Sequence, residues 1–191
     1  AWHFQVVHHD VWDLDLPAQP ILVDLERNGA KVPVVIQLTK QGLIFVLNRE
    51  TGEPVFPVEE RPVPTDGVPG EVLSPTQPFP TRPAPLGTLK YTTDDAWGFT
   101  LFDKAACRRR LAGFGRAGLY EPPDFAGTLL TASANNWGGA AFDPERSLLV
   151  LPISQAPIYV SLKRTADVTP EELNQPRLGP IGPPTAMAGT P

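Results

Sequence analysis

Proline constrains this chain more than any other residue. The 191 residues include 24 prolines, and each one holds φ near about −65° and removes a backbone N–H donor. With the 16 glycines they make up about a fifth of the chain, against roughly an eighth in average usage. A helical bundle or coiled coil is excluded over most of the length. The prolines are also clustered, with ten between Pro54 and Pro85 and six from Pro170 to Pro191. The first cluster predicts a long extended excursion over 57–92. The second, with periodicity lost from about Arg164 onward, predicts an irregular Pro/Gly-rich tail over 164–191, which leaves 1–163 as the folded part.

That folded part reads as short strands. Trp2–His8 alternates imperfectly, Ile21–Leu25 is followed by the tight-turn pair Asn28-Gly29, and Val32–Leu38 and Leu43–Leu47 flank Lys40-Gln41-Gly42. Thr51-Gly52 opens a further turn before Pro54-Val55-Phe56. Strand signals return at Gly127–Ser133, Gly138–Phe142, Ser147–Pro152 and Pro157–Lys163. Strands at intervals of about ten residues predict a sandwich, barrel or propeller. The two halves share a shape, which is the weak signature of a repeated four-stranded unit. One helix is expected, Asp103 to Phe114, with Asp103 as its cap and Gly113 and Gly115 at its end.

Charge and cysteine content narrow the function. A formal net charge of −5, with Arg108-Arg109-Arg110 as the one basic cluster, argues against nucleic acid as a partner. The single cysteine, Cys107, cannot make a disulfide scaffold or a Cys-based zinc cluster, and reads as a packed thiol. No apolar run approaches the roughly 18 residues that span a bilayer. The chain begins without Met inside what reads as a strand, so it is expected to be a piece of something longer.

Chemistry concentrates in His8-His9-Asp10-Val11-Trp12-Asp13-Leu14-Asp15. Alternate residues of an extended chain share a face, so Asp13 and Asp15 are expected to point together. Neighbouring carboxylates resist full ionisation, which favours a general base. Metal ligation and a polar turn braced by Asp side chains are alternatives on this pattern. Lys40 reads either as a solvated turn residue or as a cation at a site. Asn135-Asn136-Trp137-Gly138-Gly139 offers amides, an indole and two glycines at a strand entry, suited either to a flat ligand or to a tight turn.

Several longer segments go further. Residues 5–20 (QVVHHDVWDLDLPAQP), 40–49 (KQGLIFVLNR), 75–79 (PTQPF), 95–98 (DAWG), Cys107-Arg108 and 136–145 (NWGGAAFDPE) resemble, in the same order, segments of the dehydrogenases that use pyrroloquinoline quinone. The likeness is closer to their membrane-bound glucose, quinate and polyol branch. This resemblance implies an all-β fold, a partial eight-bladed β-propeller of four-stranded antiparallel blades, here with the long Pro-rich loop and one short helix. It implies oxidation of a sugar or polyol hydroxyl by hydride transfer to the quinone, with electrons passing to ubiquinone. Asp13 matches the family's general base, Lys40 and Asn136 match its quinone contacts, and Trp137 lies beside the last.

The resemblance further implies Ca²⁺ as a Lewis acid with its ligands mostly upstream of Ala1, so no metal ligand is assigned to this chain. It places the protein at the periplasmic face of the bacterial inner membrane, with the anchor elsewhere. The remaining blades of the parent chain would be needed for activity, and the piece alone is expected to be inactive. One departure stands out: Phe56 occupies the place of the tryptophan that docks adjacent blades, after Asn48 and Thr51-Gly52. A non-catalytic scaffold or binding propeller is the alternative from another class. Retention of Asp13, Lys40 and Asn136 together argues against it.

Overall fold

The computed structural model describes residues 1–131, 133–155 and 157–170. The greater part of the predicted 164–191 tail therefore lies outside the described residues. Among the described residues twelve short strands and one longer α-helix order along the chain, so the described fold is mostly β, in keeping with the exclusion of a helical bundle by proline. Two compact units separate: one of 1–63, 74–89 and the described part of 132–156, the other of 64–73, 90–131 and 157–170.

The first unit is built on an antiparallel sheet of β1 (Ile21–Arg27), β2 (Ala30–Leu38) and β3 (Ile44–Asn48), in that order. Asn28-Gly29 forms the β1–β2 turn, with φ of 53° and 77°, values that suit Asn and Gly. Strand β1 is an edge and alternates half-buried with exposed residues. Strands β2 and β3 are instead apolar almost throughout, because both faces are covered. On one face Val34, Ile36, Leu38, Ile44 and Val46 form the core cluster. On the other, Phe45 is fully buried and its ring lies 5.6 Å from that of Phe4.

A fourth strand is cut short, and no sheet among the described residues has four strands. Beyond β3 a hairpin turns at 48–53, where Asn48 N–H donates to Glu53 O (2.8 Å) and Val55 N–H to Val46 O (2.9 Å). Pairing stops at a single bridge, Leu47 with Pro54. Pro54 and Pro57 supply no N–H, so a ladder cannot continue there.

The 57–92 excursion is more ordered than its composition predicts. It contains β4 (Val58–Pro62) and β5 (Thr76–Pro80), an antiparallel ribbon. A two-stranded ribbon has one free edge on each strand, which accommodates prolines. Trp2–His8, in contrast, forms no strand. The backbone of His8 is paired by a side chain: its N–H donates to Gln77 Oε1 (2.8 Å) and its carbonyl accepts from Gln77 Nε2 (2.7 Å).

In the second unit β6 (Arg116–Gly118), β7 (Thr128–Leu130) and, later in the chain, β12 (Ile158–Val160) form a sheet in the order β12-β7-β6, and β6 runs parallel to β7. Helix α1 spans Leu101–Ala112. Its cap is Thr100, one turn before the predicted Asp103. Asp103 instead closes a capping box, its carboxylate accepting from Thr100 N–H (3.1 Å) while its own N–H donates to the Thr100 hydroxyl (3.2 Å). Between β7 and β12 the chain lays down β8 (Ser133–Ala134), β9 (Ala141–Asp143), β10 (Leu148–Val150) and β11 (Ser154–Gln155), all in the first unit. Asp143-Pro144-Glu145 makes the β9–β10 turn as expected, its carboxylate accepting from Glu145 and Arg146 N–H.

Candidate active site

The site is assembled on the turn between β2 and β3. Thr39 is buried and closes this turn on itself: its hydroxyl donates to Leu43 O (2.8 Å) and accepts from Leu43 N–H (3.1 Å). Gly42 completes it at φ 77°, where a side chain would be strained. The turn projects Lys40 toward the 10–15 segment. The Lys40 ammonium donates to Asp13 O (2.8 Å), to Asp13 Oδ2 (3.2 Å) and to Asp15 Oδ1. The Lys40 side chain is 13% exposed, against 88% for Asp13 and 52% for Asp15.

The 10–15 segment is not the extended chain its alternation predicts. Asp13 has φ 63° and His9 44°, left-handed conformations that bend the chain. Asp10 braces the bend by accepting from Trp12 N–H (2.8 Å) and Leu14 N–H, and the buried Leu14 anchors it. Asp13 and Asp15 still reach the same ammonium, by this route instead of by alternation. Gln37 of β2 donates to Ala18 O (3.2 Å), tying the segment's exit to the sheet.

The electrostatics follow from these contacts. The hydrogen bond from Lys40 holds the Asp15 carboxyl below the usual carboxylate range. Burial of the Lys40 stem opposes its charge, but the bonds to Asp15 and Asp13 outweigh that and raise it above the ordinary lysine value. One cation therefore faces two carboxylates, and the cluster carries a net negative charge.

Asn136 and Trp137 lie in the same compact unit, on an exposed turn, and Trp137 is 77% exposed. Among the described residues neither makes a hydrogen bond or ion pair with Asp13 or Lys40. The neighbouring Asn135 is buried and fastens the turn, its amide donating to Gly139 O (2.6 Å) and Pro152 O (3.3 Å).

Three contacts escape a reading of the sequence. Gln77 clamps the His8 backbone, as described. The His8 ring lies 3.0 Å from Glu60, and that bond lowers the Glu60 carboxyl. Trp2 docks on the Thr51-Gly52 turn: its indole N–H donates to Arg49 O (3.0 Å) and its ring covers Gly52. The turn thus receives its tryptophan from residue 2, while Phe56 lies beneath the Arg27 guanidinium at 5.0 Å. Gln77 lies within one of the quoted segments, but nothing in its spacing points to His8.

The family model described as the β-propeller domain of PQQ glucose/ethanol/alcohol dehydrogenases matches residues 1–190. The chain belongs to this family of quinoprotein dehydrogenases. It is 43% identical over 156 residues to the quinoprotein glucose dehydrogenase of Escherichia coli (strain K12), covering 78% of this chain and 19% of that protein. It is 36% identical over 194 residues to the glycerol dehydrogenase large subunit of Gluconobacter oxydans (strain 621H), covering 98% and 25%. With the quinate/shikimate dehydrogenase (quinone) of Acinetobacter baylyi it shares 35% over 179 residues, covering 90% and 21%. The quinoprotein chain thus spans about a fifth to a quarter of the length of these relatives.

The donor set suits a planar, anionic quinone. Lys40 offers an ammonium and Trp137 an exposed ring face. Each predicted contact also stands beside a buried amide with unpartnered atoms: Gln41 with Nε2 and Oε1, and Asn135 with Oδ1. Buried polar groups without partners are costly, so both positions have bonding capacity to spare. For a divalent cation the match is poorer. No group of three or more His, Cys, Asp or Glu side chains among the described residues could hold one.

Proposed function

We propose that the full-length protein carrying this chain is a pyrroloquinoline quinone-dependent dehydrogenase that oxidises a sugar or polyol hydroxyl, with Asp13 as general base. The observation that carries this reading is the Asp13–Lys40 contact, which pairs an exposed carboxylate with a well-held cation across 27 residues of sequence. The bound quinone would supply the two-electron acceptor for hydride leaving the carbinol carbon.

This chain's own residues do the rest. Asp13 stands mostly in solvent and takes the hydroxyl proton as the C–H bond breaks. Lys40 holds positive charge at the quinone, where negative charge develops. Asn136 and Trp137 complete the quinone contacts from the other turn. Ca²⁺ would be held by ligands outside this chain, and no residue here is assigned to it. The chain forms part of an eight-bladed propeller whose four-stranded blades include its β1–β3 sheet, with the folded part extending over 1–163. Electrons pass to ubiquinone at the periplasmic face of the bacterial inner membrane, and the piece alone is inactive without its companion blades.

The test is Asp13→Asn in the full-length protein, assayed with an artificial electron acceptor on glucose, glycerol and quinate. Turnover is expected to fall at least about a hundredfold with quinone affinity unchanged, whereas Lys40→Ala should weaken quinone binding as well as rate. Near wild-type turnover in Asp13→Asn would refute the base assignment. A full-length protein that binds the quinone yet oxidises none of the three substrates would favour a binding scaffold.

A further inference from the structure

Of the three aspartates of the 10–15 segment, Asp10 has partners of its own, whereas Asp13 and Asp15 share one. Asp10 is spent on the backbone, bracketing Asp13 through the N–H groups of Trp12 and Leu14. Asp15 is bonded to the Lys40 ammonium through Oδ1. Asp13 meets the same ammonium at 3.2 Å and is by far the more exposed of the two. A base that is also the sole partner of a nearby cation is held away from its substrate, and the cation makes it a weaker base. A second carboxylate removes that conflict.

We propose that Asp15 is the positioning residue of Lys40: as its counter-ion it keeps the ammonium in place while Asp13 turns to the substrate. This rests on the roles given above to Asp13 and Lys40. The charges balance through the reaction. Asp13, Asp15 and Lys40 together carry one negative charge. The substrate O–H and carbinol C–H bonds break as a C=O bond forms; the proton joins the Asp13 carboxylate, and the hydride would pass with its electron pair to the bound quinone. A neutral Asp15–Lys40 pair remains, so the cation never loses its partner. The bond geometry has a second consequence. Asp13 and Asp15 both raise the Lys40 ammonium, so removing either makes it easier to deprotonate.

The experiment compares Asp15→Asn, Asp15→Ser and Asp15→Glu in the full-length protein, with Asp13→Asn alongside and far-ultraviolet circular dichroism as the folding control. Pyrroloquinoline quinone itself is the probe, its affinity measured by equilibrium titration across pH. The uncharged variants should bind the quinone about fivefold more weakly, the worth of one partly exposed ion pair. Their alkaline limit of binding should move to lower pH, as Lys40 loses a carboxylate. Asp15→Glu should restore both.

Uncharged variants with wild-type affinity and alkaline limit would overturn the proposal, as would a folded Asp15→Glu that loses affinity equally. If Asp15→Asn does not fold, Asp15→Ser decides on the same readouts, and if both fail, Asp15→Glu decides by whether its alkaline binding limit matches wild type. The underlying reading fails separately, through Asp13→Asn retaining turnover. An inactive Asp13→Asn with normal quinone binding, beside a wild-type Asp15→Asn, would sink the Asp15 role alone.

Discussion

Gly52 is the position where a single added carbon should do most damage for a calculable reason. It sits at φ 82°, and a Cβ placed on it would lie 2.6–2.8 Å from three atoms of the Trp2 ring. Alanine in the left-handed region costs about 1–2 kcal/mol, and forcing a methyl into a packed ring adds about 1–3 kcal/mol. Gly52→Ala should therefore destabilise the β3 hairpin by about 2–5 kcal/mol. Hydrogen exchange measures this locally, since Gly52 N–H donates to Asn48 O and Val55 N–H to Val46 O. In the full-length protein, protection over peptides spanning 44–56 should fall roughly 30-fold to several thousandfold, at 1.36 kcal/mol per factor of ten. The two contributions separate in a cycle with Trp2→Ala. In that background only the backbone strain remains, so the loss from Gly52→Ala should shrink by the clash share. An equal loss in both backgrounds would show that the indole does not cover Gly52.

Two other outcomes follow from the contacts around the site. Gln77→Leu removes both bonds to the His8 backbone and should cost about 2 kcal/mol, two hydrogen bonds at roughly 1 kcal/mol each; unchanged exchange at the His8 amide would refute the clamp. The Asp15 and Glu60 carboxyls are held low, by Lys40 and His8 respectively. Their folded values lie below the unfolded ones, so their stabilising effect is complete above the ordinary carboxylate range and is lost as pH falls through the lowered values. Exchange protection of 5–16 should accordingly weaken with acid below about pH 4, and protection that stays flat down to pH 2 would contradict the ion pairs.

Much of the local structure was legible because its causes are local. Asn28-Gly29 specifies a turn by the conformations those two residues tolerate, and Val32–Leu38 and Leu43–Leu47 read as strands because their runs are apolar and β-branched. The helix is also legible, although its cap lies three residues before the Asp103 that the sequence suggests: Thr100 and Asp103 form a reciprocal pair, and either reads as a cap when seen alone. The ordering of the excursion was harder to see. Proline disfavours a sheet interior but not a two-stranded ribbon, and composition alone does not distinguish a loop from β4 and β5.

The candidate site divides in the same way. The sequence by itself determined that carboxylates crowd at 10–15, that a lysine tops an apolar hairpin, and which family those segments resemble. Tertiary structure decided which carboxylate meets which partner. Lys40 meets Asp13 and Asp15 across 27 and 25 residues, Gln77 meets His8 across 69, and Trp2 meets Arg49 across 47. Backbone preferences act over a few residues, whereas these meetings depend on which surfaces the β1–β3 sheet leaves to be covered once its core is buried. The bend at Asp13 shows the difference most plainly. An alternation argument and the folded chain both put Asp13 and Asp15 at one place, but only the folded chain, through the brace of Asp10 and the burial of Leu14, supplies the force that holds them there.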